Sequence, residues 1–330
     1  MKLGIIGAGK IVREFLPKLI KMPELEIRAL LCGPRHREEA EELCRSFGVP
    51  ETVTTFDELC AAGIDTVYIA VPNHLHFEYC RRALEAGCNV IVEKPMTSDF
   101  REAEKLGQLA ESRGLMLFEA ITTRYFPGYE MLREWLPEIG TVKQVNCSYC
   151  QYSSRYDAFR RGEILPAFDP ACAGGALMDL NLYNVHFVMG LFGCPDSADY
   201  LANIEKGIDT SGTLLLRYPG MTAVCTAAKD CSAPFSFVIA GTDGYLTTQY
   251  PPNLLGRVTL HRNRGAEECF DDEMSQQRML PEFRFFADCI ARQDYAACRE
   301  RLTQSLAVSK VLTEARRKAG IFFPADEMTF

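Results

Sequence analysis

The sequence has no surplus of positive charge: 36 Lys and Arg stand against 44 Asp and Glu, a formal net charge of -8. Nucleic-acid and anionic-membrane surfaces need basic patches, so neither is expected as a partner. No apolar run approaches the roughly 18 to 20 residues that span a bilayer. No secretory leader is expected, because Lys2 runs straight into the strand-like segment LGIIG. Internal repeats, low-complexity tracts and linker-like stretches are missing as well. Cysteine, by contrast, is plentiful at 14, but scattered. Cys80, Cys88, Cys225 and Cys289 fall inside apolar patterns, where a thiol behaves as a small hydrophobe. The close pair Cys147 and Cys150 has no second CxxC to complete a zinc site. No metal and a reduced, cytoplasmic compartment are the expectation.

The chain holds 47% hydrophobic residues over 330 positions, enough for two packed domains. Lys2 to Gly7 reads as a short strand, and Ile11, Phe15, Leu16 and Leu19 recur behind it at helical spacing. Between them, Gly7 and Gly9 take the first two places of G-x-G-x-x-G. Those glycines permit a tight turn and the close approach of a pyrophosphate to a helix N-terminus, where unpaired N–H groups favour anions. Val12 holds the third place, so the fingerprint is incomplete. Glu26 to Cys32 reads as the second strand. An acid at its end would hold the ribose hydroxyl of NAD, but Cys32 to Arg37 reads CGPRHR and no acid precedes Glu38. That favours NADP over NAD, with Arg35 toward the 2′-phosphate.

Strands and helices alternate as far as LMLFEA, residues 115–120, the pattern of a doubly wound parallel sheet. Thr66 to Val71 runs into Pro72 and Asn73, at a strand end suited to line a nicotinamide ribose. His74 and His76 follow in the same turn and read as structural hydrogen-bonders. The stretch NVIVEKP, residues 89–95, is apolar on both faces and then turns abruptly polar. Pro95 forces Lys94 into extended geometry, so Lys94 stands at a strand's carboxyl end, where open parallel sheets bind ligands. A lysine there is either a solvated strand-end charge or an active-site cation.

After about residue 122 the pattern changes to α+β with a mainly antiparallel sheet, giving domains at 1–122 and 123–330. One helix is expected from Ala176 to Leu191. Within GGALMDLNLYNVH, residues 174–186, Asp179, Tyr183 and His186 stand at i, i+4 and i+7 and so share one helix face. Such a stripe either meets solvent or carries chemistry.

The ordered set GIIGAGKIV, AVPNHLHFE, VIVEKP, EAITTRYFP and GGALMDLNLY resembles the glucose-fructose oxidoreductase and inositol dehydrogenase family (Gfo/Idh/MocA) over nearly the whole chain. The resemblance implies an N-terminal Rossmann domain for NAD(P) and a C-terminal domain with a large open sheet for substrate and homo-oligomer contacts. Carried over, Lys94, Asp179 and Tyr183 are the catalytic set. Tyr183 falls where many members have histidine, and tyrosine at that place resembles the branch with dihydrodiol dehydrogenases. The expected cofactor residues are Gly7, Gly9, Lys10, Ile11, Arg35, Val71, Pro72, Asn73, His76, Glu93, Lys94 and Arg124. Substrate contacts are expected from Lys94, Tyr152, Asp179, Tyr183 and His186, with Arg155, Tyr156 and Asp157 as further candidates. Asn181 departs from the family's usual glycine. The implied reaction moves a hydride between nicotinamide and a carbinol or carbonyl carbon of a sugar, polyol or related small molecule. The alternative is a non-catalytic NAD(P)-sensing protein on the same fold.

Overall fold

The computed structural model describes residues 1–328, apart from the side chains of Arg35 and Ser275. The chain forms two compact units: Met1–Ala120 with Glu282–Ser305, and Ile121–Pro281 with the chain from Leu306 onward.

The first unit alternates strand and helix: β1 (Lys2–Ile6), α1 (Lys10–Leu19), β2 (Glu26–Leu31), α2 (Arg37–Phe47), β3 (Glu51–Val53), α3 (Phe56–Ala61), β4 (Thr66–Ile69), α4 (His76–Glu85), β5 (Asn89–Glu93), α5 (Phe100–Arg113) and β6 (Leu117–Ala120). Every residue of β4 is buried, as are Val90, Ile91 and Val92 of β5. Residues apolar on both faces suit strands covered on both sides, the situation of a parallel sheet. The helices are punctuated locally. Thr55 and Glu58 form a capping box at the start of α3. Gly48 and Gly114, both left-handed, end α2 and α5. All strand pairs are parallel, in the order β3-β2-β1-β4-β5-β6. The order reverses direction between β1 and β4, and Ile6 pairs with Ile69, which pairs with Val92, so the three carboxyl ends are level.

The second unit contains α6 (Pro127–Trp135), β7 (Val142–Cys150), α7 (Tyr156–Arg160), α8 (Leu182–Phe192), β8 (Ser197–Glu205), β9 (Ile208–Tyr218), β10 (Met221–Ala228), β11 (Ser236–Gly241), β12 (Gly244–Thr248), β13 (Arg257–Arg262) and β14 (Glu268–Asp271). Its eight-stranded sheet runs β14-β13-β12-β11-β7-β10-β9-β8, antiparallel except where β7 meets β10. The core lies on one face, where Phe187 of α8 packs at 4.3 Å on Phe237 and at 5.9 Å on Tyr129. Leu201, Ile204, Leu215 and Tyr245, at least 40% exposed, mark strand positions left uncovered. The architecture is thus the expected doubly wound parallel sheet plus an α+β part with a large, mainly antiparallel sheet.

Two features differ from the sequence expectation. The segment Glu282–Ser305, spanning most of α9 (Leu280–Arg292) and the first part of α10 (Tyr295–Lys318), belongs to the first unit. Phe286 lies 4.8 Å from Phe118 of β6, and Phe283 stands edge-on to Tyr68 of β4 at 5.1 Å. The aromatic rings of the nucleotide-type sheet are covered by residues distant in sequence, which periodicity does not reveal. The expected helix 176–191 is also corrected. Its first turn, Leu177–Asn181, is a π-helix, and α8 begins only at Leu182.

Candidate active site

In the first unit a cleft of about 420 Å³ opens at the carboxyl ends of β1, β2 and β4, at the strand-order reversal. Gly7 and Gly9 line it for different reasons. Gly7 has φ +108°, and a Cβ there would lie 2.3 Å from the Ala70 carbonyl oxygen. Only glycine lets β1 turn so close to β4. Gly9 is extended, and a Cβ on it would meet nothing within 4 Å. The space over Gly9 is therefore open to a ligand, above the first-turn N–H groups of α1 that Lys10 and Ile11 begin. Val12 is 2% exposed, so a packed side chain fills the helix–strand contact that the third motif glycine usually makes. Val71 and Pro72 line the opposite wall of the same cleft.

Arg13, Cys32, Gly33, His36 and Tyr79 also line the cleft. The side chain of Arg35 lies outside the described residues, although its backbone sits in the turn Pro34–His36. Arg13 was not read from the sequence. It follows the glycine turn by one helical turn, donates from Nε to the Ala8 carbonyl at 2.9 Å, and pairs with Glu39. The His36 imidazole approaches the same Glu39 carboxylate at 3.6 Å. The Arg13 guanidinium holds the Glu39 carboxyl below its ordinary range.

Lys94 is half-buried and joined to Pro95 by a cis peptide bond. The turn around it is tied from three directions. Tyr68 Oη donates to Glu93 at 2.6 Å, from the neighbouring strand. The Met96 N–H donates to Glu119 Oε1 at 2.8 Å, from the strand beyond. The fully buried His76 ring lies between the Pro95 carbonyl, 2.8 Å from Nδ1, and the Val71 carbonyl, 2.9 Å from Nε2. Burial pushes the His76 pKa down, and the two carbonyls push it back up by less. His76 therefore links the Val71 and Pro95 turns, and both its ring nitrogens are taken up by their carbonyls. Glu119 was missed by the sequence reading, since nothing in EAITT distinguishes a buried anchor from a strand-end charge.

In the second unit Asp179 lies on the π-helical turn, and its carboxylate contacts Lys229 Nζ at 2.8 Å. Tyr183 follows in α8, 4% exposed, with its ring 5.9 Å from that of Tyr149. Asn181 faces the sheet. It is fully buried, and its amide donates to the Cys225 carbonyl of β10 at 2.9 Å. Asn184 donates to Asn181 Oδ1 at 2.8 Å and to the Thr226 carbonyl at 3.1 Å. Both amides tie the helix to β10, and the Leu177 N–H ties its start to Asp209 Oδ2 at 2.6 Å. The expected single stripe of Asp179, Tyr183 and His186 is corrected. A π-helical turn bonds i to i+5 and spends an extra residue, so α-helical spacing does not cross it. The Asp179 side chain is 34% exposed, whereas His186 is 1% exposed in a helix buried throughout from Leu182 to Met189. Arg124 is likewise buried, in the turn Thr122–Tyr125. Tyr152 is exposed and donates from Oη to Asp157 at 2.8 Å. Lys94 thus belongs to the first unit, while Asp179 and Tyr183 lie on one continuous helical stretch of the second.

A parallel sheet that reverses order at a glycine turn above an open cleft defines a dinucleotide-binding protein of the Rossmann type. The chain belongs to the Gfo/Idh/MocA oxidoreductases. The family's NAD-binding Rossmann-fold domain matches residues 1–121, and its C-terminal domain matches residues 129–247. It is 32% identical to scyllo-inositol 2-dehydrogenase (NADP(+)) IolU of Bacillus subtilis (strain 168), over 99% of each chain. It is 28% identical to the trans-1,2-dihydrobenzene-1,2-diol dehydrogenase of Mus musculus, again over 99% of each. Among solved structures, KijD10, a 3-ketoreductase from Actinomadura kijaniata in complex with NADP and TDP-benzene, superposes with a TM-score of 0.82 at 24% identity. The match covers 98% of this chain and 99% of that one, and it shows the shared fold. The protein is a nicotinamide-dependent oxidoreductase.

The two glycines are expected to separate in their effects. Gly7→Ala forces a clash with the Ala70 carbonyl in a left-handed backbone, so it should lower the melting temperature and abolish dinucleotide binding. Gly9→Ala should leave the melting temperature within experimental error and weaken NADPH, because the added methyl occupies only the open space. Thermal melting and NADPH fluorescence titration on both variants check this pair.

Proposed function

We propose that the protein interconverts a secondary alcohol and a ketone on a cyclic polyol, sugar or dihydrodiol, with NADP in preference to NAD. The observation that carries the reading is the likeness to an NADP-dependent inositol dehydrogenase along 99% of both chains. The open space over Gly9 and the cleft beside it fit the pyrophosphate and ribose of such a cofactor. Bound there, a nicotinamide dinucleotide supplies the hydride acceptor or donor. The remaining tasks fall to the chain.

When an alcohol is oxidised, its hydroxyl proton must leave as the hydride does. We assign that proton to Tyr183 Oη, and to Lys94 the ammonium that steadies the alkoxide-like oxygen. A free phenol ionises near 10, too high for a base at neutral pH, and a cationic surrounding is the means of lowering it. Asp179 orients the reacting hydroxyl. Glu93, held by Tyr68, anchors the Lys94 turn and does not react. The buried His186 supports α8. Arg13 and His36, together with the Arg35 turn, are assigned to the 2′-phosphate, in place of an acid that would select NAD. Of the candidates near Tyr152, we keep Tyr152 itself as a substrate contact on the grounds of its exposure. We further propose a homodimer or higher homo-oligomer built on the uncovered face of the eight-stranded sheet. Its exposed Leu201, Leu215 and Tyr245 suit burial by a second copy. The 14 free cysteines suit the cytoplasm.

Turnover is tested by following reduced nicotinamide with scyllo-inositol, a panel of sugars and trans-dihydrodiols, each with both cofactors. No turnover of any of them would overturn the reading in favour of a cofactor-sensing protein. Tyr183→Phe should cut turnover by roughly 100-fold or more with NADPH affinity unchanged, in the range usual for a general acid–base group. His186→Asn should leave a smaller catalytic deficit and a lower melting temperature. Fluorescence titration should find NADPH bound more tightly than NADH, and equal affinities would reject the assigned 2′-phosphate site. Light scattering at micromolar concentration should give a mass above that of one chain.

A further inference from the structure

We infer that Lys229 is a positioning residue for this reaction: its buried ammonium fixes the direction of the Asp179 carboxylate on the π-helical turn. The inference rests on the function proposed above and names a residue that no motif points to. Lys229 directly follows β10 and is 2% exposed. Its Nζ lies 2.8 Å from Asp179 Oδ2 and donates to the Ala167 carbonyl at 2.6 Å. The same ammonium sits 4.6 Å from the centre of the Phe168 ring. A buried lysine needs an anion as well as a carbonyl and a ring, because an unpaired charge there is strongly disfavoured.

Both ends of the pair are anchored. The Lys229 N–H donates to the Thr210 carbonyl of β9, and its own carbonyl accepts from the Ser153 N–H, each at 2.8 Å. The ammonium is therefore a fixed point of the sheet. Asp179 sits on a turn held at its start by Asp209 and at its end by the Asn181 amide. The exposures are unequal: the cation is enclosed at 2%, while the carboxylate is 34% open. A pair that served the fold alone would have no need to leave its anion accessible. Two further carboxylates lie around Lys229. Asp209 of β9, which burial pushes up to about 6, feels the ammonium, which lowers it. The adjacent Asp230 is engaged by the Thr210 and Ser211 hydroxyls at 2.7 and 2.8 Å. Neither replaces Asp179 as the direct contact.

The test compares Lys229→Met, Lys229→Arg, Asp179→Asn and the double variant Lys229→Met/Asp179→Asn, with scyllo-inositol and NADP as probes. Melting curves and NADPH titration accompany the kinetics. Lys229→Met keeps the length and removes the charge. It should bind NADPH as the parent does and lose at least about 10-fold in kcat. Without the cation the protonated carboxyl is favoured, so the acid limb of the kcat profile should move to higher pH by about one unit or more. Adding Lys229→Met to Asp179→Asn should cost no more than about twofold beyond Asp179→Asn alone. If Lys229→Met does not fold, Lys229→Arg decides. Its wider guanidinium should keep the acid limb in place while lowering kcat, and an unchanged kcat would overturn the inference. A folded Lys229→Met with parental kcat and acid limb, or losses that multiply in the double variant, would overturn it too. Loss in Asp179→Asn with none in Lys229→Met overturns this inference alone. Full turnover in Asp179→Asn, or none in the parent, overturns the functional reading with it.

Discussion

The parallel hydrogen bonding of β1, β4 and β5 is the constraint from which the nucleotide unit follows. Strands paired in parallel cannot be joined by a tight turn, so each must return through a helix. Those helices cover both faces, which is why β4 is buried throughout and Val90 to Val92 of β5 are enclosed. The register levels Ile6, Ile69 and Val92. Gly7, Ala70 and the Glu93-Lys94 turn consequently emerge at one edge of the sheet. The cleft is there because the strand order reverses there, and Gly7 is required because β1 must turn within reach of the Ala70 carbonyl.

The turns at this edge are held by interactions between neighbouring strands and helices. Tyr68 fixes Glu93, Glu119 fixes the Met96 amide, and His76 spans the Val71 and Pro95 carbonyls. A cationic side chain on a strand end would otherwise sample several directions, and these ties hold the backbone that carries Lys94. The second unit uses a different device. A π-helical turn is inherently less favourable than an α-helical one and persists where its surroundings fix it. Here Asp209, Asn181 and Asn184 bind the turn and its helix to β9 and β10. The residue that departs from the family's glycine is therefore one of the ties.

Much of the candidate site was legible in the chain. The glycine turn, Pro72, Lys94, Asp179 and Tyr183 announce themselves because each depends on a short run of neighbours: strand then glycine, strand then Lys-Pro, helix then Asp and Tyr. His186 shows where that logic stops. Its spacing from Tyr183 is helical, yet the helix is buried along its whole inner length, and spacing carries no information on burial. Arg13 and Glu119 escaped for the complementary reason: their roles are set by what lies opposite, and the residues themselves are ordinary for a surface helix and a strand.

By itself the sequence determined the alternation of strand and helix, the glycine turn, the place of Lys94 at a strand's carboxyl end and the family. Those properties arise from backbone conformational limits and from hydrophobic period, which act over a few residues. The tertiary structure alone decided that Phe283 and Phe286 return to cover the first sheet, and that the helix bearing Asp179 opens with a π turn. It alone placed a buried ammonium from the end of β10 against the Asp179 carboxylate. Each depends on a partner remote along the chain, and the energy of burying a ring or a charge is fixed by that partner and not by sequence neighbours.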